Sequence, residues 1–453
     1  MWIHFIAIGG SAMHNLALDL LKKGYRITGS DDEIFEPSLS RLKQAGILPE
    51  AWGWYPEKIT THMDAVIVGM HARSDNPELI RVRELNIPYY SYPEYLYEHS
   101  KNKTRVVIGG SHGKTTITSI ILHVLKHAGK SFDYMVGAQI KGFERMVSLS
   151  DNAPLMIFEG DEYLTAPFDL RPKFHVYKPH IALLSGIAWD HKNVFPTFEK
   201  YVEQFKIFVD SIQPDGTLIW YEEDKELKKI SDSLRKDIKA FSYKEHPAVI
   251  ENKRTFLLQG EKKYEIQVFG NHNLQNIQGA KLVCSQLGIN ENMFYEAITS
   301  FEGANKRLQQ IYFNKEKNIT VFLDFAHAPS KVKATIQAVK SIYTTEKIIA
   351  CLELHTYSSL QKDFLPQYAG SMDASDVSFV YYNPHEVALK KLPELTYKEI
   401  YNGFKNKNIN IFNDARQLFD GIFSSILNNC VILLMSSGNF DNFDFKKGLT
   451  QIQ

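Results

Sequence analysis

Cysteine is scarce in this 453-residue chain: Cys284, Cys351 and Cys430 are far apart and never form a Cys-x-x-Cys pair. That spacing argues against both a disulfide scaffold and a structural zinc site. Net charge is also missing, since 52 Lys plus Arg balance 52 Asp plus Glu. No general field therefore draws the chain to nucleic acid or to an anionic membrane. No apolar run approaches the roughly 18 residues of a membrane span. The opening residues Met1 to Ile6 lack the basic start and apolar stretch of a signal peptide. Fixed-period repeats and low-complexity tracts are absent as well, which disfavours a solenoid. The expectation is a cytoplasmic protein without nucleic-acid or membrane partners, its oligomeric state left open. At about 150 residues per domain, the length points to three domains.

What is present is a recurring strand, glycine-rich turn and helix. Ile3 to Ile8 reads as a strand, Gly9-Gly10-Ser11-Ala12 as a turn, and Met13 to Lys23 as a helix with Leu16, Leu20 and Leu21 at helical spacing. A second strand, Tyr25 to Gly29, ends in Ser30-Asp31-Asp32, completing a βαβ unit. Ala7 to Ala12 is a degraded dinucleotide fingerprint whose small residues still let a pyrophosphate approach the helix start. By itself it fits NAD or another diphosphate equally.

A polar link, Lys101 to Thr104, precedes a new strand at Arg105 to Ile108 and the loop Gly110-Ser111-His112-Gly113-Lys114-Thr115-Thr116. Backbone N–H groups of such a loop converge on one concavity, the helix start adds partial positive charge, and a lysine reaches the terminal phosphates. A nucleoside triphosphate fits, with the Thr115 hydroxyl placed to ligate Mg²⁺. Ile108 stands where the full Gly-x4-Gly-Lys-Ser/Thr pattern has its first glycine. Glu159, after the strand Leu155 to Phe158, is a further metal candidate, as is His191 after the strand Ile181 to Ser185; a solvated loop and a structural histidine are the plain alternatives. His272, Asn273 and Asn276 open a helix, where an asparagine reads a purine edge or merely caps the helix. Arg307 lies before a third run of strands beginning at Thr320, and Asp324 and His327 follow its first strand. An arginine there suits a phosphoryl group and Asp324 suits ribose hydroxyls, while surface polarity is the simpler account of each.

The order of these elements resembles the Mur ligases, ATP-dependent amide-forming enzymes of peptidoglycan synthesis, over essentially the whole chain. The resemblance implies an α/β fold of three domains: a Rossmann-like UDP-sugar-binding domain at 1–101, a central P-loop ATPase domain at 102–308, and a C-terminal Rossmann-like domain for the amine or peptide at 309–453. It implies that Gly110, Ser111, His112, Gly113, Lys114, Thr115 and Thr116 bind ATP as co-substrate. His272, Asn273, Asn276, Arg307, Asp324 and His327 would complete that site, and Thr115, Glu159 and His191 would hold Mg²⁺. Lys114, Glu159, His191 and Arg307 would be catalytic. Gly9, Gly10, Ser11, Ala12, Ser30 and Asp31 would meet the UDP-sugar.

Within the family, Asp161-Glu162-Tyr163 and Phe168-Asp169-Leu170-Arg171-Pro172-Lys173-Phe174-His175-Val176-Tyr177 resemble the branch that joins L-alanyl-γ-D-glutamyl-meso-diaminopimelate to UDP-N-acetylmuramate in peptidoglycan recycling. The alternatives are the branch that adds L-alanine in peptidoglycan biosynthesis and a non-catalytic ATP-binding regulator. Family members often carry two histidines where this chain has His327-Ala328, and two acids where it has Leu323-Asp324.

Overall fold

In the computed structural model the apolar runs become mostly parallel strands, because a strand covered on both faces has no solvent side to make polar. The structure describes residues 1–189, 194–426, 428–445 and 448. It divides into two units: Met1–Ile187, Phe198–Lys244 and Gly279–Phe294 form one, and Ala188–Thr197, Glu245–Gln278 and Tyr295–Gln453 the other. Residues 245–278 and 295–308 thus group with the C-terminal part of the chain.

In the first unit β1 (Trp2–Ile6), β2 (Arg26–Ser30), β3 (Ala65–Val68) and β4 (Tyr89–Ser91) make a parallel sheet ordered β2-β1-β3-β4. Strand β1 stops at Ile6 because Ala7 turns into the left-handed region, at φ 68°, and starts the glycine turn. Helix α1 (Ser11–Lys22) follows, burying Met13, Leu16, Ala17 and Leu20.

A second sheet in this unit comprises β5 (Thr104–Gly109), β6 (Asp133–Met135), β7 (Val147–Ser148), β8 (Leu155–Glu159), β11 (Ile181–Leu184), β12 (Thr217–Tyr221) and β13 (Lys239–Tyr243), with the hairpin β9 (Leu164–Ala166) and β10 (Asp169–Pro172) lying between β8 and β11 in sequence. Its order is β13-β12-β11-β5-β8-β6-β7, parallel except for the edge strand β7. The order matters for chemistry. Strand β5 lies between β8 and β11, with Ile108 beside Glu159 and Gly109 beside Leu184. The loop leaving β5 is therefore flanked by whatever side chains end β8 and β11, at the carboxyl edge where α/β sheets receive ligands.

In the second unit, β14 (Ala248–Glu251), β15 (Arg254–Gln259) and β16 (Lys262–Ile266) form an antiparallel sheet. A further sheet joins β17 (Gln309–Asn314), β18 (Ile319–Asp324), β19 (Lys347–Leu354), β20 (Val377–Tyr382), β21 (Ile409–Phe412) and β22 (Cys430–Met435) in the order β17-β18-β22-β19-β20-β21. Only β17, at the edge, runs antiparallel. All six residues of β22 are buried. Apolar clusters cover both faces, one around Val332, Leu352 and Leu433 and the other around Cys351, Phe419 and Ile432. Among the described residues no helix is long and apolar enough to cross a membrane.

Candidate active site

The phosphate loop is shaped by two glycines that other residues cannot replace. Gly110 has φ 121°, and a Cβ there would lie 2.2 Å from Ser185 Oγ, at the end of β11. Gly113, at φ 74°, is the N-cap of α5 (Lys114–His127), which has no side-chain capping bond. Its first N–H groups are left for a ligand, as an anion site requires. Ser111 N–H donates to Gly186 O at 2.9 Å, and the Ser185 hydroxyl donates to His112 O, so β11 holds the loop from one side.

From the other side comes β8. The Thr115 hydroxyl donates to Glu159 Oε1 at 2.8 Å, and Gly137 N–H donates to Glu159 Oε2 at 2.7 Å. Both side chains are buried, at 8% and 9% exposure. Two hard oxygen ligands side by side at a phosphate loop suit Mg²⁺. Lys114 curls over its own loop, donating to Gly110 O at 2.8 Å and pairing with Glu162. Burial opposes its charge, yet the carboxylates of Glu162, Asp161 and Glu159 keep its pKa above that of an ordinary lysine. Thr116 is buried in the first turn of α5. His191 lies outside the described residues.

The glycine turn after β1 opens on a cavity of about 1020 Å³ lined by Gly9, Gly10, Ser11 and Asp31, together with Phe35, Trp54, His71, Arg73 and Asn76 among others. Helix α1 lacks a side-chain cap, so its first turn faces this space with unspent N–H groups. Asp31 accepts from Gly9 N–H at 2.7 Å, closing the turn. Burial pushes its pKa up to about 6, against the lowering effect of that bond. Ser30 and Ala12 do not line the cavity. Ser30 faces inward and donates to the buried Glu78, because successive strand residues point to opposite faces.

Three family models match the chain: the Mur ligase family catalytic domain at residues 2–104, the Mur ligase middle domain at 108–284, and the Mur ligase glutamate ligase domain at 306–438. The chain is a member of the Mur ligase family. It is 27% identical to the UDP-N-acetylmuramate–L-alanine ligase of Carboxydothermus hydrogenoformans, over 98% of this chain and 95% of that protein. A solved murein peptide ligase from Psychrobacter arcticus superposes with TM-score 0.67 at 22% identity, covering 100% of this chain and 98% of its own. The UDP-N-acetylmuramate–alanine ligase of Thermotoga maritima gives TM-score 0.73 at 21% identity, covering 100% and 99%. The fold is the three-domain α/β architecture of these enzymes, and the chain is an ATP-dependent carbon–nitrogen ligase.

The remaining expected site residues of this Mur ligase lie in the second unit. Asn273 and Asn276 are buried inside the helix Asn271–Gln286 rather than capping it. Asn273 Nδ2 donates to Phe269 O at 2.8 Å. Burial lowers the His272 pKa, partly offset by Asp324. Asp324 accepts the backbone N–H of Leu308 with one oxygen and of Ala326 with the other, each at 2.7 Å, so it ties the junction to the end of β18. It thereby fixes the neighbours of Arg307 and His327. The Arg307 guanidinium sits 4.5 Å from the centre of the Phe325 ring, and His327 Nδ1 contacts Phe325 O at 2.8 Å.

Glu162, Tyr201, Ser185, His71 and Arg73 were absent from the expected site. Glu162 has a signal, as the acid beside Asp161 after β8; Tyr201, in the first turn of the helix Phe198–Asp210, has none.

Proposed function

We propose that this Mur ligase uses ATP to activate the carboxylate of UDP-N-acetylmuramate and transfers the acyl group to the L-alanyl amine of L-alanyl-γ-D-glutamyl-meso-diaminopimelate. The carrying observation is one unit that holds both a glycine-turn cavity of about 1020 Å³ and a phosphate loop bearing Lys114 beside the Thr115–Glu159 pair. A carboxylate is a poor electrophile. Its oxygen attacks the γ-phosphorus, ADP leaves, and the resulting acyl phosphate is attacked by the amine, which loses a proton as phosphate departs. Lys114 and the uncapped N–H groups of α5 stabilise the charge developing on the transferred phosphoryl group. Thr115 and Glu159 would hold Mg²⁺, which neutralises phosphate charge when bound. Arg73 and His71 supply positive charge in the sugar-nucleotide cavity, and the first turn of α1 supplies N–H donors for the diphosphate.

The peptide acceptor rests on the resemblance of the segment after Glu162 to the recycling branch. That segment folds as the hairpin β9–β10, with Arg171 bidentate on Asp169 and reaching Glu94, and Lys173 bound to Asp161 at 2.6 Å. A second reading, free L-alanine as the acceptor, has the greater support of the curated relatives, which are named for that reaction. The test is ADP release with ATP, Mg²⁺ and UDP-N-acetylmuramate, comparing the tripeptide with L-alanine. Tripeptide-dependent release is the expected result; release with alanine alone moves the enzyme to the second reading.

A further inference from the structure

Among the described residues, Glu162 is the one buried carboxylate at the phosphate loop for which the reaction above has no task. Its side chain is 1% exposed, yet it does not sit on the Thr115–Glu159 pair. One oxygen pairs with Lys114 Nζ, and the other accepts from the Tyr201 hydroxyl at 3.2 Å. Tyr201 is fully buried, and its hydroxyl is also 2.8 Å from that of Ser111 in the loop. The chain Lys114–Glu162–Tyr201–Ser111 thus ties the loop's cation to the loop's own Ser111 through an element, the helix Phe198–Asp210, that otherwise packs on Phe174 through its Phe205 and Phe208. The next residue back, Asp161, binds Lys173 at the root of the hairpin.

A buried lysine needs a counter-charge, and a triphosphate needs the same lysine. Both cannot own it fully. We propose that Glu162 is a positioning residue that holds Lys114 over the loop until the nucleotide takes it, competing with the phosphates for its charge while Tyr201 keeps the carboxylate aimed. This rests on the assignment of Lys114 to the ATP phosphates. Holding the lysine in place favours transfer, because a pre-placed cation costs nothing to organise at the moment of reaction. The same carboxylate weakens ground-state nucleotide binding by repulsion.

The two effects separate in Glu162→Gln, which keeps the shape and the acceptor for Tyr201 while removing the charge. ATP should bind roughly five- to tenfold tighter to this variant, a gain of about 1 to 1.4 kcal/mol, while kcat falls by at least about tenfold. Tyr201→Phe should lower kcat several-fold and leave the ATP Kd where it was. Thermal melts of each variant establish that it is folded. Glu162→Gln with unchanged or weaker ATP binding and a folded melt overturns the proposal, as does a variant with undiminished kcat. Lys114→Ala is measured in parallel. If it binds ATP like the wild type, the assignment of the phosphate site itself fails; if it loses ATP while Glu162→Gln leaves the Kd unchanged, only the role of Glu162 falls.

Discussion

Three residues in the first unit have consequences that can be measured one at a time. Lys114→Ala removes the cation that the carboxylates of Glu162, Asp161 and Glu159 keep charged. Ligation should fall on the order of a hundred- to a thousandfold, the loss typical of deleting one preorganised charge-stabilising group, with the melting temperature lowered as well, because Glu162 is left buried without its ionic partner. Steady-state ADP release checks it. Gly110→Ala should do comparable damage by a different route. Its Cβ would enter the space of Ser185 Oγ at a φ of 121°, a conformation costing about 1 to 3 kcal/mol for an L-residue. Isothermal titration with ATP should find no binding. Asp31 gives a pH prediction. Its pKa is pushed up to about 6, above the unfolded value of 3.8, so the native state favours the protonated acid. That contribution to stability is complete below the unfolded value and is lost as the pH rises through 6. Asp31→Asn, neutral throughout, should therefore gain on the wild type between pH 4 and pH 8 in urea unfolding midpoints. A difference independent of pH would show that the Asp31 carboxyl is not shifted.

Elements matter here through how they are tied together. Helix α1 is clasped by the segment that carries β7: Asp19 accepts from Arg145 and from Leu149 N–H, each at 2.9 Å, and Asn15 Oδ1 accepts from Met146 N–H at 3.1 Å. The same segment begins just after Gly137, whose N–H holds Glu159. A single stretch of chain thus touches Glu159, the proposed metal carboxylate, at one end and the middle of α1 at the other. Arg145→Ala leaves a buried carboxylate short of its ionic partner and should cost on the order of 2 kcal/mol. In a double-mutant cycle with Asp19→Ala, a coupling energy near zero would show that the pair does not hold the clasp. Sequence periodicity finds the parallel strands because each is a short, nearly continuous apolar run; the runs Leu155 to Phe158 and Ile181 to Ser185 end within one residue of β8 and β11. It passed over β14 to β16, where exposed Arg254, Lys262 and Lys263 break the apolar signal. Those strands are held by their antiparallel partners rather than by deep burial.

For the whole molecule, the cavity proposed for the sugar nucleotide and the phosphate loop lie at the ends of different sheets, so their ligands should stabilise independently. UDP-N-acetylmuramate at 100 times its Kd should raise unfolding free energy by about 2.7 kcal/mol, equally in the wild type and in Lys114→Ala. A melt in which Lys114→Ala loses that protection would place the sugar nucleotide elsewhere. Local pattern alone determined the α/β class, the glycine turn at Gly9 and Gly10 and the loop from Gly110 to Thr116, because turns, helix starts and apolar runs are written in neighbouring residues. Strand order was decided only by the tertiary structure, and strand order is what brings Glu159 and Ser185 to either side of the loop leaving β5. It also spent Asp324 on the backbone of Leu308 and Ala326, turned Ser30 away from the cavity, and set Glu162 and Tyr201 against Lys114 and Ser111. Each of those outcomes depends on which buried polar groups lack partners once the sheets have formed, and apart from Asp324 and Ala326 such partners lie from 16 to 90 positions apart in the chain, where no sequence spacing records them.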